Sequence, residues 1–578
     1  MNPMTGERLA VDPITLEVIR HGIISITDQI DANVTRTAFS PYIYEYKDYA
    51  VGMTDADGRL LAQCNGGMPI FVADAVGSAV RDGLRIYGKE KLHEGDVVIC
   101  NAPDVQGQHL NNTVMYTPIH AGPADNRELI GFFAINVHWI DIGGAVVGST
   151  SLFTTDIFME GVQYRTVKLW SKGERVDDMY RIVEDNSRFP EELMGDIEAQ
   201  LAGCLLGRDL VAKLVQKFGL DTWRAALELI LDQSEEAMRD KIRAIPDGTY
   251  EAESFLDNDG VGDTPIPIKV RVVVEGGDLT VDYSQMPPEA SGAINSGYFG
   301  GGITTARIAL MYLIAEGEPA NEGTFRPLKV VLPQGTLISA RRTAPMGMYG
   351  TPFPTIVDTF IKALEQALPH RVTGAHFGTY SSVGFVGKRP DGRPFHGQDS
   401  GFGGWGACAT HDGAGPFRTM AHGDTRIIPL ELQETIYPFR YEGLSLREDS
   451  GGPGRFRGGL GFIKRYRMLG ECTLRTNLDR TLDAPWGVLG GRAAAVGRVT
   501  VLKQGKGDPI NANKTENLAL QPGDVVLVET GGGGGYGEPR ERPVEEVERD
   551  VRRGYVSAAA ALEHYGVRMG PDGKGTRG

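Results

Sequence analysis

Apolar residues recur at steps of three and four through Leu16, Ile19, Ile23, Ile26, Ile30 and Val34, the pattern of one buried helix face. Asp12-Pro13 opens this helix, because an aspartate caps orphan amides and a proline is tolerated at the first helical position, and the pattern stops near Thr37. Two short apolar runs, 50–54 and 59–63, flank the turn cluster Asp55-Ala-Asp-Gly58 and predict a β-hairpin. Residues 69–87 predict a second helix. From His93 the pattern changes to strands at 96–100, 113–117 and 129–138, the last two joined by a turn at 122–126. Segment 190–243 is helical, with Leu193, Ile197, Leu201 and Leu205 at steps of four, and 250–285 returns to strands. Two short apolar helices follow at 304–315 and 355–367. Beyond residue 370 the chain is glycine-rich and strand-like, most clearly at 498–502 and 524–528. From Arg542, Glu and Arg mix at helical spacing, as on a solvated helix. The pattern divides the chain into an N-terminal α/β region at 1–245, a middle β/α region at 246–370, a glycine-rich β region at 371–540 and a helical tail at 541–578.

Glycine changes this picture most. The 578 residues include 77 glycines, about 13% against a usual ~7%, set among aromatic residues in segments such as 297–302 and 401–406. They predict packed, irregular backbone. Lysine and arginine number 59 against 75 acidic residues, a net charge of −16, which is unsuited to neutralising phosphates and sets nucleic acid aside as a partner. Five cysteines, widely spaced and without a C-x-x-C pair, predict neither a disulfide framework nor a zinc ribbon. The first residues lack a basic segment followed by an apolar one, and no apolar run of about 18 residues occurs; the expectation is a soluble, cytoplasmic protein without a membrane partner.

The hairpin gives the leading chemical candidate. The midpoint of His109 and His138 falls between Pro123 and Ala124, inside the turn, so antiparallel pairing sets the two histidines nearly opposite each other. Asn112 and Asp141 follow them by three residues. Two imidazoles with oxygen donors suit zinc or manganese, and equally a polar pocket with two satisfied histidines. Nucleotide signatures are absent: there is no G-x-x-x-x-G-K-[ST], and Gly401-Phe-Gly-Gly-Trp-Gly406 does not join a strand to an amphipathic helix. The glycine run 531–535 reads as a close-packed loop, Cys100 and Cys204 as buried structural thiols, and Asp479 and Asp483 as ion-pair partners. No G-x-S-x-G elbow occurs.

Several segments resemble the hydantoinase B/5-oxoprolinase family: Asp12-Pro-Ile-Thr-Leu-Glu-Val-Ile, Arg36-Thr-Ala-Phe-Ser-Pro, Lys47-Asp48-Tyr49 and Asp57-Gly-Arg-Leu-Leu-Ala-Gln63. His138-Trp-Ile-Asp-Ile-Gly-Gly144, Asp449-Ser-Gly-Gly-Pro-Gly-Arg-Phe-Arg-Gly-Gly-Leu-Gly461, Pro485-Trp-Gly487 and the run 531–537 continue the likeness over nearly the whole chain. The resemblance implies a β-rich α+β fold, with barrel-like sheets, peripheral helices and a bundle of glycine-rich polyproline-II-like segments. It implies a β-type subunit in a hetero-oligomer with an A-type subunit whose actin/Hsp70-like domain binds ATP. Carried over residue by residue, the family's metal pattern falls on Asp48, His109 with Asn112, and His138, which are also the candidate catalytic residues. Asn112 stands where the pattern has Asp, which removes one anionic ligand and weakens zinc or manganese binding.

Two reactions fit that resemblance. The first expectation is an ATP-dependent ketone carboxylase of the acetophenone type, joining an activated ketone to activated bicarbonate; losing the Asp ligand harms least a reaction that need not activate water, and Tyr42, Tyr44, Tyr46 and Trp139 suit an aryl ketone. The alternative is the B-type component of a hydantoin or lactam hydrolase acting on rings such as N-methylhydantoin or 5-oxoproline. A third reading makes the chain a scaffold subunit.

Overall fold

The computed structural model describes residues 11–123, 125–389, 391–505 and 508–577, apart from the side chains of Val72 and Ser400. The first helix, Pro13–Thr37, is capped by Asp12, whose carboxylate accepts from the Thr15 amide, and buries the predicted Leu16, Ile19, Ile23, Ile30 and Val34. The seven-stranded sheet beneath it is built from β1 (Tyr49–Asp55), β2 (Leu60–Gln63), β3 (Val97–Cys100), β4 (Asn112–Ala121), β5 (Glu128–His138), β6 (Val167–Ser171) and β7 (Glu174–Arg175). Their order is β2-β1-β5-β4-β3-β6-β7. The helix Pro190–Phe218 lies across β4, β5 and the first helix. It approaches closely because Gly207 carries no side chain: a Cβ there would overlap the Phe133 ring. Gln200 of this helix donates to the Thr113 and Ile135 carbonyls of the sheet and accepts from the Trp139 indole.

Two predicted helices are broken. Residues 69–87 form Pro69–Val72 and Ala75–Tyr87, because buried Asp74 leaves helical geometry to pair with Arg81 at 3.0 Å. Segment 190–243 divides at Gly219, whose φ of +81° ends one helix and begins Leu220–Arg243.

The chain continues into a four-stranded sheet (Gly248–Leu256, Ile266–Glu275, Asp278–Asp282, Leu328–Val331) covered by the helix Phe353–Ala363. A second four-stranded sheet (Ser382–Lys388, Pro394–Ser400, Cys472–Asn477, Lys514–Leu520) packs over a common core with a five-stranded one (Phe439–Leu446, Phe462–Met468, Arg498–Leu502, Ile510–Asn511, Val525–Glu529). The fold is the expected mixture of helices and sheets, but every sheet has two edges, so none closes into a barrel. The tail is helical at Val544–Arg552 and Ala558–Tyr565 and adds a small hairpin, Val567–Met569 with Gly575–Arg577. Among the described residues no helix is long and apolar enough to cross a membrane.

Between the sheets the glycine-rich segments run side by side without regular strand pairing. Gly404 donates to the Gly531 carbonyl, Gly452 to Gly533, Gly533 to Gly459 and Gly534 to Ala375. A Cβ on Gly533 would overlap the Trp405 carbonyl, and no rotamer change relieves a clash with backbone. Replacing Gly533 by Ala is expected to destabilise the chain by on the order of 3 kcal/mol or more. Gly443→Ala, where nothing lies within 4 Å of the added carbon, should stay within about 0.5 kcal/mol; denaturant unfolding of the two variants checks the contrast.

Candidate functional site

Three neighbouring strands end together at one margin of the seven-stranded sheet. His138 is the last residue of β5 and pairs with Asn112, the first of β4, while its amide donates to the Asp48 carbonyl just before β1. The register corrects the sequence expectation. His138 stands opposite Asn112 rather than His109: the pairing nearest the turn, Ala121 with Glu128, already places the centre of the hairpin beyond the expected point, and a one-residue shift between Ile119 and His120 adds to the offset. The predicted turn centre includes Ala124, which lies outside the described residues. His109 arrives from the connection before β4, and its ring still meets His138 at a centroid distance of 4.8 Å.

A chain of hydrogen bonds fixes which atoms face each other. Gln108 donates its Nε2 to the Ile70 carbonyl, so its Oε1 accepts from Asn112 Nδ2 at 2.9 Å. Asn112 Nδ2 also donates to the Tyr349 hydroxyl at 3.0 Å, which turns Asn112 Oδ1 toward the histidines. That oxygen lies 2.7 Å from His109 Nε2 and 3.2 Å from His138 Nδ1, and the two nitrogens are 3.1 Å apart. Burial pushes His109 down to about 4 and His138 well below its ordinary range, so both rings are neutral. Two acceptors face His109, the Gly347 carbonyl at Nδ1 (3.1 Å) and Asn112 Oδ1 at Nε2 (2.7 Å), and compete for the single proton of the neutral ring. His138 Nδ1 lies within hydrogen-bond distance of both His109 Nε2 and Asn112 Oδ1, and His138 Nε2 is buried without a partner.

The Gly347 turn is itself held by Glu160. Its Oε1 accepts from the Met346 and Gly347 amides at 2.8 Å each and from Thr154 Oγ1 at 2.7 Å. Burial pushes the Glu160 carboxyl up to about 8.

The histidines open on a cavity of about 60 Å³ lined from segments throughout the chain. Asp48 is the one acidic residue lining it; burial raises its pKa to about 7, against the pull of Arg418. Met68, Ile70, Phe71 and Met348 form an apolar side, and Tyr46, Tyr349, Tyr380, Gln398, His422 and Asn477 a polar one. Tyr42 stacks between the His138 and His396 rings and hydrogen-bonds to His396 Nδ1 at 3.1 Å. Tyr44 does not line the cavity, and Trp139 points away from it to Gln200. Asp141 also turns aside, accepting from the Gly143 and Gly148 amides and pairing with Arg188. Sequence reasoning did not find Tyr349, Tyr380, His422 or Asn477. Only the burial of His422 marks it, and burial carries no local signature.

Among the described residues no three His, Cys, Asp or Glu side chains converge as a metal site. The convergent set is instead two imidazole nitrogens and the Asn112 amide oxygen. Two imidazole nitrogens and an amide oxygen within 3.2 Å of one another are donor types that a zinc- or manganese-type cation takes. The missing charge makes it a weak site. Of the structural groups read from the sequence, Cys100 and Cys204 are buried free thiols, and Asp479, but not Asp483, has an ion-pair partner among the described residues, Lys514 at 3.0 Å.

Residues 12–539 match the model of the family described as hydantoinase B/oxoprolinase, and the chain belongs to that family. It is 31% identical to the B-type component of a putative D-/L-hydantoinase from Pseudomonas sp. (strain NS671), over 97% of this chain and 95% of that one. It is also 31% identical to the beta chain of the caprolactamase from Pseudomonas jessenii, over 98% and 97%. The crystal structure of the ATP-dependent caprolactamase from Pseudomonas jessenii superposes with a TM-score of 0.91 at 28% identity, covering 98% of both chains. The nucleotide-free acetone carboxylase shares the fold, with a TM-score of 0.88 at 20% identity over 98% of this chain and 81% of that one.

The buried neutral histidines set a pH dependence of stability. Burial with Arg475 nearby lowers His396 from 6.5 to about 3. The unfolded chain therefore takes up protons below its own histidine pKa that the folded chain refuses, and the stability present above pH 6.5 is lost as pH falls toward 3. Each such histidine contributes a slope of up to about 1.4 kcal/mol per pH unit. His396→Asn should flatten the fall between pH 6 and 4 by one histidine's share, measured by denaturant unfolding across pH.

Proposed function

We propose that this chain is the B-type, non-ATP-binding subunit of an ATP-dependent complex that opens a cyclic amide, a hydantoin or lactam ring. The observation that carries the reading is the cavity itself: Asp48, with its pKa near 7, lies in one buried pocket with His109 and His138. The similarity to hydantoinase and caprolactamase chains over almost the full length supports the same chemistry. An A-type subunit would bind ATP and phosphorylate the ring carbonyl.

Once the ring is activated, the chain's own residues supply the remaining chemistry. Asp48 is divided between carboxylate and acid near neutrality, the condition that suits a general base drawing a proton from an attacking water. The Gly347 carbonyl and Asn112 Oδ1 hold the His109 ring from its two nitrogens and orient it toward His138. The side formed by Met68, Ile70, Phe71 and Met348 excludes bulk water from the activated ring. A zinc- or manganese-type cation held by His109, His138 and Asn112, with Asp48 on the same cavity, would polarise a carbonyl or water oxygen.

Asn112 supports a second reading, ketone carboxylation with bicarbonate as co-substrate, because that reaction does not require an anionic ligand set for activating water. The complex purified with its partner, supplied with ATP and labelled bicarbonate beside hydantoins, lactams and ketones, separates the two. Ring opening without stable label is expected; label in a β-keto acid establishes carboxylation instead. His109→Ala should lower turnover at least about 100-fold while the complex still assembles, and unchanged turnover would leave a scaffold role. Asn112→Asp should raise zinc or manganese affinity about tenfold or more, read by calorimetric titration.

A further inference from the structure

We propose that the cavity selects an uncharged ring amide and reads its amide edge through Tyr380 and Asn477, an inference that rests on the cyclic-amide reading above. Charge gives the first argument. No lysine or arginine lines the cavity, and its one ionisable acid is Asp48. Arg418, which acts on Asp48 without lining the cavity, donates to Thr425 Oγ1, the Gly401 carbonyl and the Tyr46 hydroxyl, and lies over the Tyr46 and Phe402 rings. A substrate carboxylate, as on 5-oxoproline, would enter a buried site beside Asp48 without a side-chain counter-charge, which is costly in a low dielectric.

Unpaired polar atoms give the second argument. Tyr380 and Asn477 both line the cavity, and Tyr380 Oη and Asn477 Oδ1 are buried with no hydrogen-bond partner. Asn477 Nδ2 is committed to Thr351 Oγ1 at 2.8 Å, so its oxygen is the atom left over. Tyr380 Oη can donate and Asn477 Oδ1 can only accept. A ring holds its amide cis and displays C=O and N–H side by side on one edge. That edge supplies an acceptor for the tyrosine and a donor for the asparagine, whereas a ketone satisfies the tyrosine alone. Buried groups left unpaired cost affinity, so such a pair discriminates strongly. The ring's methylene side then lies on Met68, Ile70, Phe71 and Met348.

The test uses the assembled complex with ATP and four substrates: a neutral lactam, its N-methyl derivative, 5-oxoproline and a cyclic ketone. For the wild type, kcat/KM for the neutral lactam should exceed that for 5-oxoproline by at least about 100-fold and that for the N-methyl lactam by at least about tenfold. Asn477→Leu should abolish the preference for N–H over N-methyl, Asn477→Asp, which keeps an acceptor, should retain it, and Tyr380→Phe should lower kcat/KM for both lactams. Turnover of 5-oxoproline at or above the neutral lactam overturns the proposal, as does equal use of the N–H and N-methyl rings by the wild type. An unchanged N–H preference in an Asn477→Leu complex that still assembles overturns it too. If only the ketone reacts, with bicarbonate incorporated, the cyclic-amide reading fails along with it, a result distinct from a preference among amides.

Discussion

The close approach of backbone to backbone in the glycine bundle is the constraint on which the rest of this structure depends. Segments around residues 374, 404, 452, 459 and 533 donate to one another's carbonyls at distances that leave no room for a Cβ. Two residues that line the cavity follow these segments in the chain: Tyr380 comes after 374–378, and His422 after 413–415. A side chain at any of these contacts would push apart chains whose positions the cavity requires. The high glycine content is therefore a packing requirement of the site as well as of the fold.

The site shows a second economy, in which neutral groups hold one another without a formal charge at their centre. The orientation of Asn112 is set two hydrogen bonds away, at the Ile70 carbonyl, through Gln108. The orientation of the His109 ring is set by Asn112 and by the Gly347 carbonyl, whose turn is clamped by Glu160. Each link is buried, so each is electrostatically strong and each unmet partner is expensive. The result is a set of donor atoms with lone pairs turned inward, prepared for a cation, a proton or a polar substrate.

Much of this site was legible in advance. His109, Asn112 and His138 come together and Asp48 lines the same cavity, while the helix at Pro13–Thr37 and the hairpin of β4 and β5 lie where the hydrophobic pattern sets them. The register was not legible, because the centre of the turn and the one-residue shift beside His120 together move the partner of His138 from His109 to Asn112, and neither leaves a residue type behind as a marker. The helix breaks at Asp74 and Gly219 were missed because they answer to distant partners and to a single backbone angle. The polar side of the cavity was hidden for a similar reason: Tyr349, Tyr380, His422 and Asn477 come from segments far apart in the chain, and nothing local distinguishes them from any buried tyrosine, histidine or asparagine.

By itself, the sequence determined the family, the helices and strands of the first half, the absence of a nucleotide loop and the loss of a charge at Asn112, because these are properties of residue types and their spacing. Only the tertiary structure decided which nitrogen of each histidine faces the site, that Asp48 titrates near neutrality, that the sheets stay open, and that the cavity is uncharged apart from one carboxyl. Those properties arise from burial and from contacts across hundreds of residues, and a pattern read along one dimension contains neither.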